Sequence, residues 1–458
     1  MNTHDVIVVG GGPGGSTVAG LTAMDGHRVL LLDKETFPRY QIGESLLPAT
    51  IHGICALLGL REEIERAGFV RKRGGTFKWG TNPEPWTFSF AASERMAGPT
   101  SYAFQVERTR FDTMLLDNAR RLGADVRQGH RVLGVVRDGD RITGVRYVDD
   151  TGREGVATAR FVVDASGHGS RLHHEVGGRR EYSPHFRNLA LFGYFVGGHR
   201  MPAPDTGNIL CVAFPGGWFW YIPLSDTLTS VGAVVRQDAA ARVQGDPEAA
   251  FTGLVRDCPL VAEFLADATR ATTPPYDRLR VRKDYSYDRT VLWCPGMVLV
   301  GDAACFIDPV FSSGVHLATY SALLAARSIN STLAGLVPED RCFAEFEARY
   351  RREFALFRDF LVAFYEQRTD ELSYFSHASR LVGDGNGNGS AETAAFVDLV
   401  GGVSSTDFSR KLMGEVLAEG AQLQLRGMLG AAAGAEPPMF PGGLVPSPDG
   451  RRWLVHDV

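Results

Sequence analysis

The chain has 458 residues and a formal net charge of −5, with 44% hydrophobic and 22% charged residues. This length and balance indicate a soluble globular protein of two or three domains, and they give no sign of a nucleic-acid-binding surface. The six cysteines form no C-x-x-C pair, which argues against a zinc site or a disulfide framework and favours a reducing cytoplasm. No apolar run approaches the ~20 residues of a membrane helix, and the N-terminus lacks a signal-peptide pattern.

The N-terminal segment predicts the start of a nucleotide-binding unit. Val6-Ile7-Val8-Val9 is a β-branched run typical of a buried parallel strand, and a glycine-rich turn follows it directly. The turn reads G-x-G-x-x-G through Gly10, Gly12 and Gly15. In a dinucleotide-binding fold these glycines allow a tight turn, admit a pyrophosphate close to the backbone and let helix and strand pack together.

The segments after this turn complete a βαβ unit. A predicted helix over residues 16–24 directs its N-terminal N–H groups and its positive dipole end at the phosphates. A second apolar strand over 29–32 then leads to Asp33, whose carboxylate can accept hydrogen bonds from ribose hydroxyls. Strand, glycines, helix, strand and acid therefore come in the order and spacing of a nucleotide site, rather than as an isolated glycine-rich turn.

Shorter elements follow along the chain. Residues 48–67 and 111–122 are predicted helices, and 76–100 is β-like and aromatic. The predicted strands, in chain order, are 125–128, 131–136, 142–147 and 161–164, then strands near Ala190, Ile209 and Val231, and a last buried strand at 297–300. After about Pro309 the pattern is mainly helical, with a glycine-rich loop at 383–389 and a Pro/Gly-rich tail.

Three separated motifs are expected to form one nucleotide site. They are the βαβ unit, the strand end Asp164-Ala165-Ser166-Gly167 and the turn Gly301-Asp302-Ala303. In a parallel sheet, ligands bind at the carboxyl ends of the strands, so motifs far apart in sequence can converge there. This ordered set resembles the flavin monooxygenases of the p-hydroxybenzoate hydroxylase fold, over roughly residues 1–330.

The resemblance implies FAD as the cofactor and assigns its contacts. The first motif would hold the ADP part, Asp302 the ribityl–phosphate part, and Arg108 would also contact the cofactor. The implied cofactor-binding residues are Gly10, Gly12, Gly15, Asp33, Glu44, Ser45, Arg108, Asp164, Gly167, Gly301, Asp302, Pro309, Gly314 and Val315.

The fold class implied is α/β (α+β). A Rossmann-like FAD-binding domain is expected over 1–75, 101–181 and 276–330. A β-rich substrate domain is expected over 76–100 and 182–275, and a mainly helical C-terminal region over 331–458.

The stretch Gly217-Trp218-Phe219-Trp220-Tyr221-Ile222-Pro223 is the most discriminating motif. Side chains alternate along a strand, so Trp218 and Trp220 share one face, as they would in an ordinary aromatic core strand. However, W-x-W-x-I-P also matches the motif of flavin-dependent halogenases. The resemblance implies that the two indoles form a wall between the organic substrate and the isoalloxazine. The oxygen activated at the flavin then reacts with a halide instead of the organic substrate.

Lys72 is the second feature that resembles the halogenases. A lysine just ahead of a Gly-Gly or Gly-Ala pair is the catalytic group that they share, and Lys72 precedes Gly74-Gly75 with one residue between them. Lys78 is the competing candidate, and Arg71-Lys72-Arg73 could also be a solvated basic patch. A partly desolvated ammonium can hydrogen-bond hypohalous acid, whereas a deprotonated amine could form a chloramine. The sequence does not choose between these two forms.

The segment Asp308-Pro309-Val310-Phe311-Ser312-Ser313-Gly314 is the expected halide site. Ser313 and Gly314 open a helix, where free N–H groups suit a small anion, although an ordinary helix start beside the flavin would read the same. Tryptophan halogenases carry a glutamate two residues before this pair, and here Phe311 takes that position. The departure resembles the phenol/pyrrole branch, many of whose members act on a ring tethered to a carrier protein.

The sequence therefore predicts a halogenase of natural-product biosynthesis that makes hypohalous acid from FADH2, O2 and chloride. Phe364-Tyr365-Glu366-Gln367 and Ser373-Tyr374-Phe375 resemble halogenases of phenolic rings. Reduced FAD would come from a flavin reductase, and an acyl or peptidyl carrier protein would bear the substrate. Candidate contacts with an acidic carrier are the patch Arg71-Lys72-Arg73 and Arg349, Arg351 and Arg352, although a solvated helix face would have the same composition. Two alternatives stay open: an aromatic hydroxylase of the same fold, and a flavin-binding reductase or silent partner without oxygenation chemistry.

Overall fold

A computed structural model describes residues 4–96, 98–366, 370–382, 389–404 and 438–455. In these ranges the strands are, in chain order, β1 Val6–Val9, β2 Val29–Leu32, β3 Val70–Lys72, β4 Gly74–Lys78, β5 Trp86–Ser89, β6 Ala103–Gln105, β7 Asp125–Arg127, β8 Arg131–Asp138, β9 Arg141–Val148, β10 Glu154–Thr158, β11 Phe161–Asp164, β12 Arg180–Val196, β13 Ile209–Phe214, β14 Gly217–Pro223, β15 Leu228–Val235, β16 Thr269–Arg270, β17 Arg280–Arg289, β18 Trp293–Cys294, β19 Met297–Leu299, β20 Leu444–Pro446 and β21 Trp453–Val455.

The α-helices of the same ranges lie mainly in the C-terminal third. They are α1 Pro13–Met24, α2 Arg61–Arg66, α3 Arg108–Arg121, α4 Pro247–Arg256, α5 Pro259–Phe264, α6 Ser313–Leu333, α7 Glu339–Tyr365, α8 Glu371–Val382 and α9 Gly389–Gly401. Short 3-10 turns at Gly301–Ala303 and Pro309–Phe311 precede α6, and a π-helix spans Ala49–Cys55.

The nucleotide-binding sheet has the strand order β18-β19-β11-β1-β2-β7. β1 pairs in parallel with β11 and β2, and all four residues of each of these three strands are buried. Both faces of these strands are covered, which explains why their sequences are continuous β-branched and aliphatic runs rather than alternating ones. The α/β fold class that the sequence predicts is confirmed.

The second large sheet follows the order β16-β12-β15-β14-β13-β4-β5, and β17 also pairs with β12. Its two faces belong to different cores. Trp218 and Trp220 pack into the main core, which also contains the nucleotide sheet, whereas Phe219 and Tyr221 pack with α4 and α5 on the other face. The side chains of β14 therefore alternate between the two faces of the sheet, as the sequence predicts.

Several predicted boundaries differ from the observed ones. The predicted helix 48–67 is interrupted, because Gly59 has a φ of +69° and ends the first helical segment before α2 begins. Helix α3 begins at Arg108 rather than at 111, which places Arg108 in its first turn. Of the predicted glycine-rich loop, residues 383–388 lie outside the described residues.

The positions of two elements differ from the domain division that the sequence predicts. Strand β17 pairs with β12 of the large sheet, although residues 276–330 are assigned to the FAD-binding part. Strands β20 and β21 form a hairpin at the end of the region predicted to be mainly helical. Trp453 of this hairpin is fully buried and its indole donates to Ser328 of α6 at 3.0 Å, so its place depends on partners distant in sequence.

Candidate active site

Three neighbouring strands end at one edge of the nucleotide sheet. Because β1, β11 and β19 are adjacent and parallel, the segments that follow them emerge side by side, as the sequence predicts. Helix α6 reaches the same edge, since Ala318 lies against both Gly14 of the first turn and Gly301. The glycine-rich turn, the Asp164 strand end, the Gly301 turn and the start of α6 are thus brought together.

The glycine-rich turn has no room for side chains at two positions. Gly10 adopts a φ of +102°, and a Cβ there would lie 2.5 Å from the carbonyl oxygen of Ala165. A Cβ on Gly15 would overlap the carbonyl oxygen of Gly10. Gly12 is different, because a Cβ there would meet only the end of the Arg39 side chain. The roles predicted for Gly10 and Gly15, tight turn and close packing, agree with this geometry.

Two buried aspartates fix the neighbouring turns. The Asp33 carboxylate accepts hydrogen bonds from the backbone N–H groups of Gly11 at 2.6 Å and Glu35 at 2.7 Å. The Asp164 carboxylate accepts from the N–H and hydroxyl of Ser166 and from the hydroxyl of Ser170, and burial raises its pKa. Both therefore hold backbone in place, and contact of Asp33 with a ribose stays a prediction.

A second group of charges surrounds Arg108. Its guanidinium donates to both oxygens of Asp112, at 2.7 and 2.9 Å, and to the carbonyl oxygens of residues 42 and 43. Arg108 also attracts the carboxylates of Glu44 and Asp302. Burial nevertheless raises the pKa of Asp302 to about 6 and that of Glu44 to about 7, and Tyr194 donates to Glu44 at 2.7 Å.

The two tryptophans of β14 lie side by side in the core. The ring centroids of Trp218 and Trp220 are 6.2 Å apart, and both side chains are buried. The Trp218 indole donates to the hydroxyl of Tyr365 at 2.6 Å, and the Trp220 indole donates to Ser230 at 3.2 Å. Trp79 packs edge-on against Trp218 with centroids 6.0 Å apart. The result is a continuous aromatic surface with both polar N–H groups occupied.

Lys72 is a buried amine rather than part of a solvated basic patch. Its side chain is 3% exposed, and Nζ donates to the carbonyl oxygen of Leu46 at 3.1 Å. The ring centroid of Phe90 lies 5.6 Å from Nζ. Burial lowers the pKa of Lys72 to about 7, and the interaction with Cys211 acts in the opposite direction. Near neutral pH the amine and the ammonium are therefore both populated, so both chemical forms considered for this residue are accessible.

The start of α6 combines a strained residue with free amides. Ser312 adopts a φ of +60° and directly precedes Ser313, the first residue of a 21-residue helix. The first N–H groups of such a helix have no partner within it, and its dipole favours an anion there. Pro309 and Gly314 are half-buried, and Val315 is buried. This geometry is compatible with the predicted halide site at Ser313 and Gly314.

Phe311 lies in an aromatic cluster. Its ring centroid is 4.7 Å from Phe364, 5.2 Å from Phe360 and 6.0 Å from Phe77, and the side chain is 4% exposed. Where tryptophan halogenases would place a glutamate, this chain has an apolar, well-packed ring. An ionised carboxylate in this apolar environment would carry a large desolvation penalty.

Asp308 and Tyr365 are site residues that the sequence reasoning did not assign. Tyr365 donates to Asp308 at 2.6 Å and accepts from Trp218, so it joins two segments that were predicted separately. An Asp before a Pro is a helix-start signal and could have drawn attention to Asp308. No local signal could have indicated its pairing with Tyr365, because the two residues are 57 positions apart.

The candidate carrier-protein contacts are divided between surface and interior. Arg349 is buried, donates to Glu345 at 2.5 Å and also donates to the Leu444 carbonyl oxygen of the terminal hairpin. Arg351 is paired with Glu347 and Asp288. The exposed arginines of the two groups are Arg71, Arg73 and Arg352. Arg349 therefore cannot contact a partner, because its guanidinium is enclosed by the chain itself.

Comparison with known proteins identifies the family. Residues 5–98 and 92–383 match the family described as tryptophan halogenase. The tryptophan 2-halogenase of Chondromyces crocatus is 37% identical over 379 residues, which cover 82% of this chain and 70% of that protein. The flavin-dependent halogenase gsfI of Penicillium aethiopicum is 35% identical over 72% of this chain and 65% of its own length. This chain belongs to the flavin-dependent halogenases.

Solved structures of halogenases have the same fold. The myxobacterial chondrochloren halogenase CndH is 50% identical, with a TM-score of 0.81 over 99% of this chain and all of its own. The flavin-dependent halogenase CmlS is 36% identical, with a TM-score of 0.72 over 81% of this chain and 66% of that one. The family uses FAD and halide and is an oxidoreductase-type enzyme family, which confirms the predicted cofactors and enzyme class.

The residues of this halogenase fit an FAD molecule at the sheet edge. The turn at Gly12 is open enough for a phosphate to approach the backbone, and α1 begins directly after it. The buried hydroxyls of Ser45 and Ser313 have no hydrogen-bond partner within the described part of the chain. Buried hydroxyls are normally satisfied, so both are available for a ligand.

The described ranges contain no group of three metal-ligating side chains, and none of their helices is long and apolar enough to span a membrane.

Proposed function

We propose that this halogenase acts on an electron-rich aromatic ring, a phenol, presented on an acyl or peptidyl carrier protein. A flavin reductase supplies the reduced cofactor, as flavin-dependent halogenases generally require. The observation that carries the proposal is the side chain at position 311. A phenol activates its own ring toward electrophiles, so it needs no nearby carboxylate to stabilise a cationic intermediate.

The surroundings of Phe311 support this choice of substrate. Phe77, Phe360 and Phe364 fill the space around it. Asp308, three residues earlier in the same segment, already accepts hydrogen bonds from Tyr365, Asn188 and Val310. An indole substrate would depend on a carboxylate at this place. The segments around Phe364 and Tyr374, which pack together with centroids 4.8 Å apart, resemble halogenases of phenolic rings.

Bound FAD, once reduced, supplies the oxygen activation that converts halide into hypohalous acid. The chain's own residues do the rest in this proposal. The N–H groups at Ser313 and Gly314 hold the halide, and Trp218 and Trp220 exclude the organic substrate from the flavin side. Lys72 receives hypohalous acid in its desolvated setting, where a hydrogen bond from the ammonium increases the electrophilicity of the halogen.

A surface groove supports delivery by a carrier protein. It has a volume of about 390 Å³ and is lined by residues that include Phe69, Arg71 and Asp226. Arg71 is exposed and adjoins Lys72 on strand β3, with its side chain on the opposite face. An acidic carrier protein could dock at Arg71 and Arg73 while its tethered ring approaches the inner side of the same strand.

The test is incubation with reduced FAD, O2 and chloride and a panel of substrates, analysed by intact mass. The panel holds phenols and pyrroles, each free and carrier-loaded, and free tryptophan. Addition of chlorine, recognised by its isotope pattern, to the carrier-loaded phenol is expected. Chlorination of tryptophan alone would contradict the assigned substrate class, and addition of one oxygen would indicate a hydroxylase.

Carrier docking has its own test. Arg71→Glu should lower the rate with a carrier-loaded phenol and leave the rate with the free phenol unchanged. Arg153→Glu, a charge reversal at an exposed arginine in the turn before β10, is the control and should affect neither rate. Equal rates of the Arg71 variant and the wild type with the loaded carrier would contradict docking at this surface.

A further inference from the structure

A chain of hydrogen bonds connects the tryptophan wall to the segment before α6. The Trp218 indole donates to the hydroxyl of Tyr365 at 2.6 Å, and this hydroxyl donates to the Asp308 carboxylate at 2.6 Å. The same carboxylate oxygen accepts from the Asn188 side chain at 3.2 Å, and the other oxygen accepts from the Val310 N–H at 3.1 Å. Each group in the chain has its donor and acceptor roles fixed by its neighbours.

The three residues belong to three different elements. Trp218 lies on β14, Asp308 is the N-cap of the turn 309–311 that leads to Ser313, and Tyr365 is the last residue of α7. The Tyr365 ring is also held edge-on by Phe186 and Trp79, with centroids 5.2 and 5.7 Å away. The Tyr365 ring is therefore fixed by packing from two sides, and a shift of α7 would change the distances from its hydroxyl to both hydrogen-bond partners.

We propose that Tyr365 is a positioning residue that fixes the Trp218 indole relative to the segment 308–313. The inference rests on the proposed function, because it concerns the path between the halide site and Lys72. With the hydroxyl in place, the wall and the halide segment keep one relative arrangement and hypohalous acid is directed to the substrate side. Without it, oxidation of the reduced cofactor continues while less of the oxidised halogen reaches the substrate.

Tyr365→Phe tests the proposal, because it removes the hydroxyl and keeps the packed ring. The expected result is a fall of about tenfold in halogenated product per reduced FAD oxidised, with FAD binding unchanged, since misplaced groups cost catalysis far more than binding. Tyr221→Phe is the matched control. It removes a buried tyrosine hydroxyl from the opposite face of the same strand, where Tyr221 donates to the carbonyl oxygens of His199 and Phe264, and it should leave the ratio unchanged.

Two further measurements separate positioning from general weakening of the fold. The near-UV circular dichroism of the tryptophan pair should change in Tyr365→Phe and not in Tyr221→Phe, because only the former frees the Trp218 N–H. The pH profile should change as well. Burial raises the pKa of Asp308 to about 6, and the hydrogen bond from Tyr365 counteracts part of that rise.

The direction of the pH change follows from these contacts. Loss of the Tyr365 donor raises the pKa of Asp308 further, so the low-pH limb of the product ratio moves to higher pH in Tyr365→Phe. Asp308→Asn should remove that limb. The Cys211 thiol is a further titratable group that interacts with Asp308. Burial raises the pKa of this thiol far above the range of the limb, and the thiol also interacts with Lys72.

An unchanged product ratio, near-UV spectrum and pH limb in Tyr365→Phe would overturn the proposal. If this variant does not fold, Asp308→Asn decides, because it also removes the charged end of the chain of hydrogen bonds. If the wild type halogenates no aromatic substrate, the proposed function fails. The near-UV comparison still shows whether Tyr365 positions Trp218.

Discussion

Replacing Lys72 by Met should abolish halogenation and at the same time stabilise the fold at neutral pH. Met has a similar length and no charge, so it fits the buried site beside Phe90 without desolvating an ammonium. FAD binding should be retained, because the hydrogen bond and the ring contact of Lys72 are to Leu46 and Phe90 and not to the glycine-rich turn. Lys78→Met, the change at the competing lysine, should keep activity.

The size of the stabilisation follows from the pKa of the lysine. The pKa falls from 10.5 to about 7 on folding, a difference of 3.5 units. At 1.36 kcal/mol per unit, the buried lysine costs the fold about 5 kcal/mol below pH 7 and slightly less at pH 7 itself. The hydrogen bond to Leu46, which Met cannot make, offsets about 1 kcal/mol of the expected gain.

The pH dependence has a definite sign. Between pH 7 and 10.5 the unfolded chain binds more protons at this lysine than the folded one, so the wild type gains stability as pH rises. The advantage of Lys72→Met should therefore be greatest at pH 6 to 7 and shrink steadily toward pH 10. Denaturant unfolding of both proteins across this range measures it. A stability difference that does not vary with pH would refute the lowered pKa of the buried Lys72. Full activity of Lys72→Met would refute the catalytic role of this residue.

Three further substitutions have specific expected outcomes. Gly15→Ala would overlap the Gly10 carbonyl oxygen and should abolish FAD binding, measured by flavin fluorescence, whereas Gly253→Ala, where a Cβ has open space, should bind FAD normally. Phe311→Glu places an unpaired charge in an aromatic cluster and should lower the free energy of unfolding by roughly 3–5 kcal/mol. It should not make tryptophan a substrate. Trp453→Ala should cost about 3–5 kcal/mol in denaturant unfolding, and a neutral effect would show that the terminal hairpin contributes no core.

The sequence by itself was sufficient for the nucleotide unit and the order of its parts. In residues 6–33 the residue types alone indicate a strand, a glycine turn, a helix and a second strand. Gly10 and Gly15 are required because a side chain at either position would overlap the backbone. The same holds for β14, because strict alternation assigns Trp218 and Trp220 to one face without reference to any other strand. Family membership followed from these short motifs and was confirmed by comparison.

Only the tertiary structure could show which groups lose their water and which distant residues meet. Arg71, Lys72 and Arg73 look alike in sequence, yet the strand buries Lys72 alone among them and lowers its pKa. Likewise, nothing local connects Tyr365 to Asp308 or Trp453 to Ser328. Burial and long-range hydrogen bonds depend on how separate elements pack, and that information is not contained in any one segment.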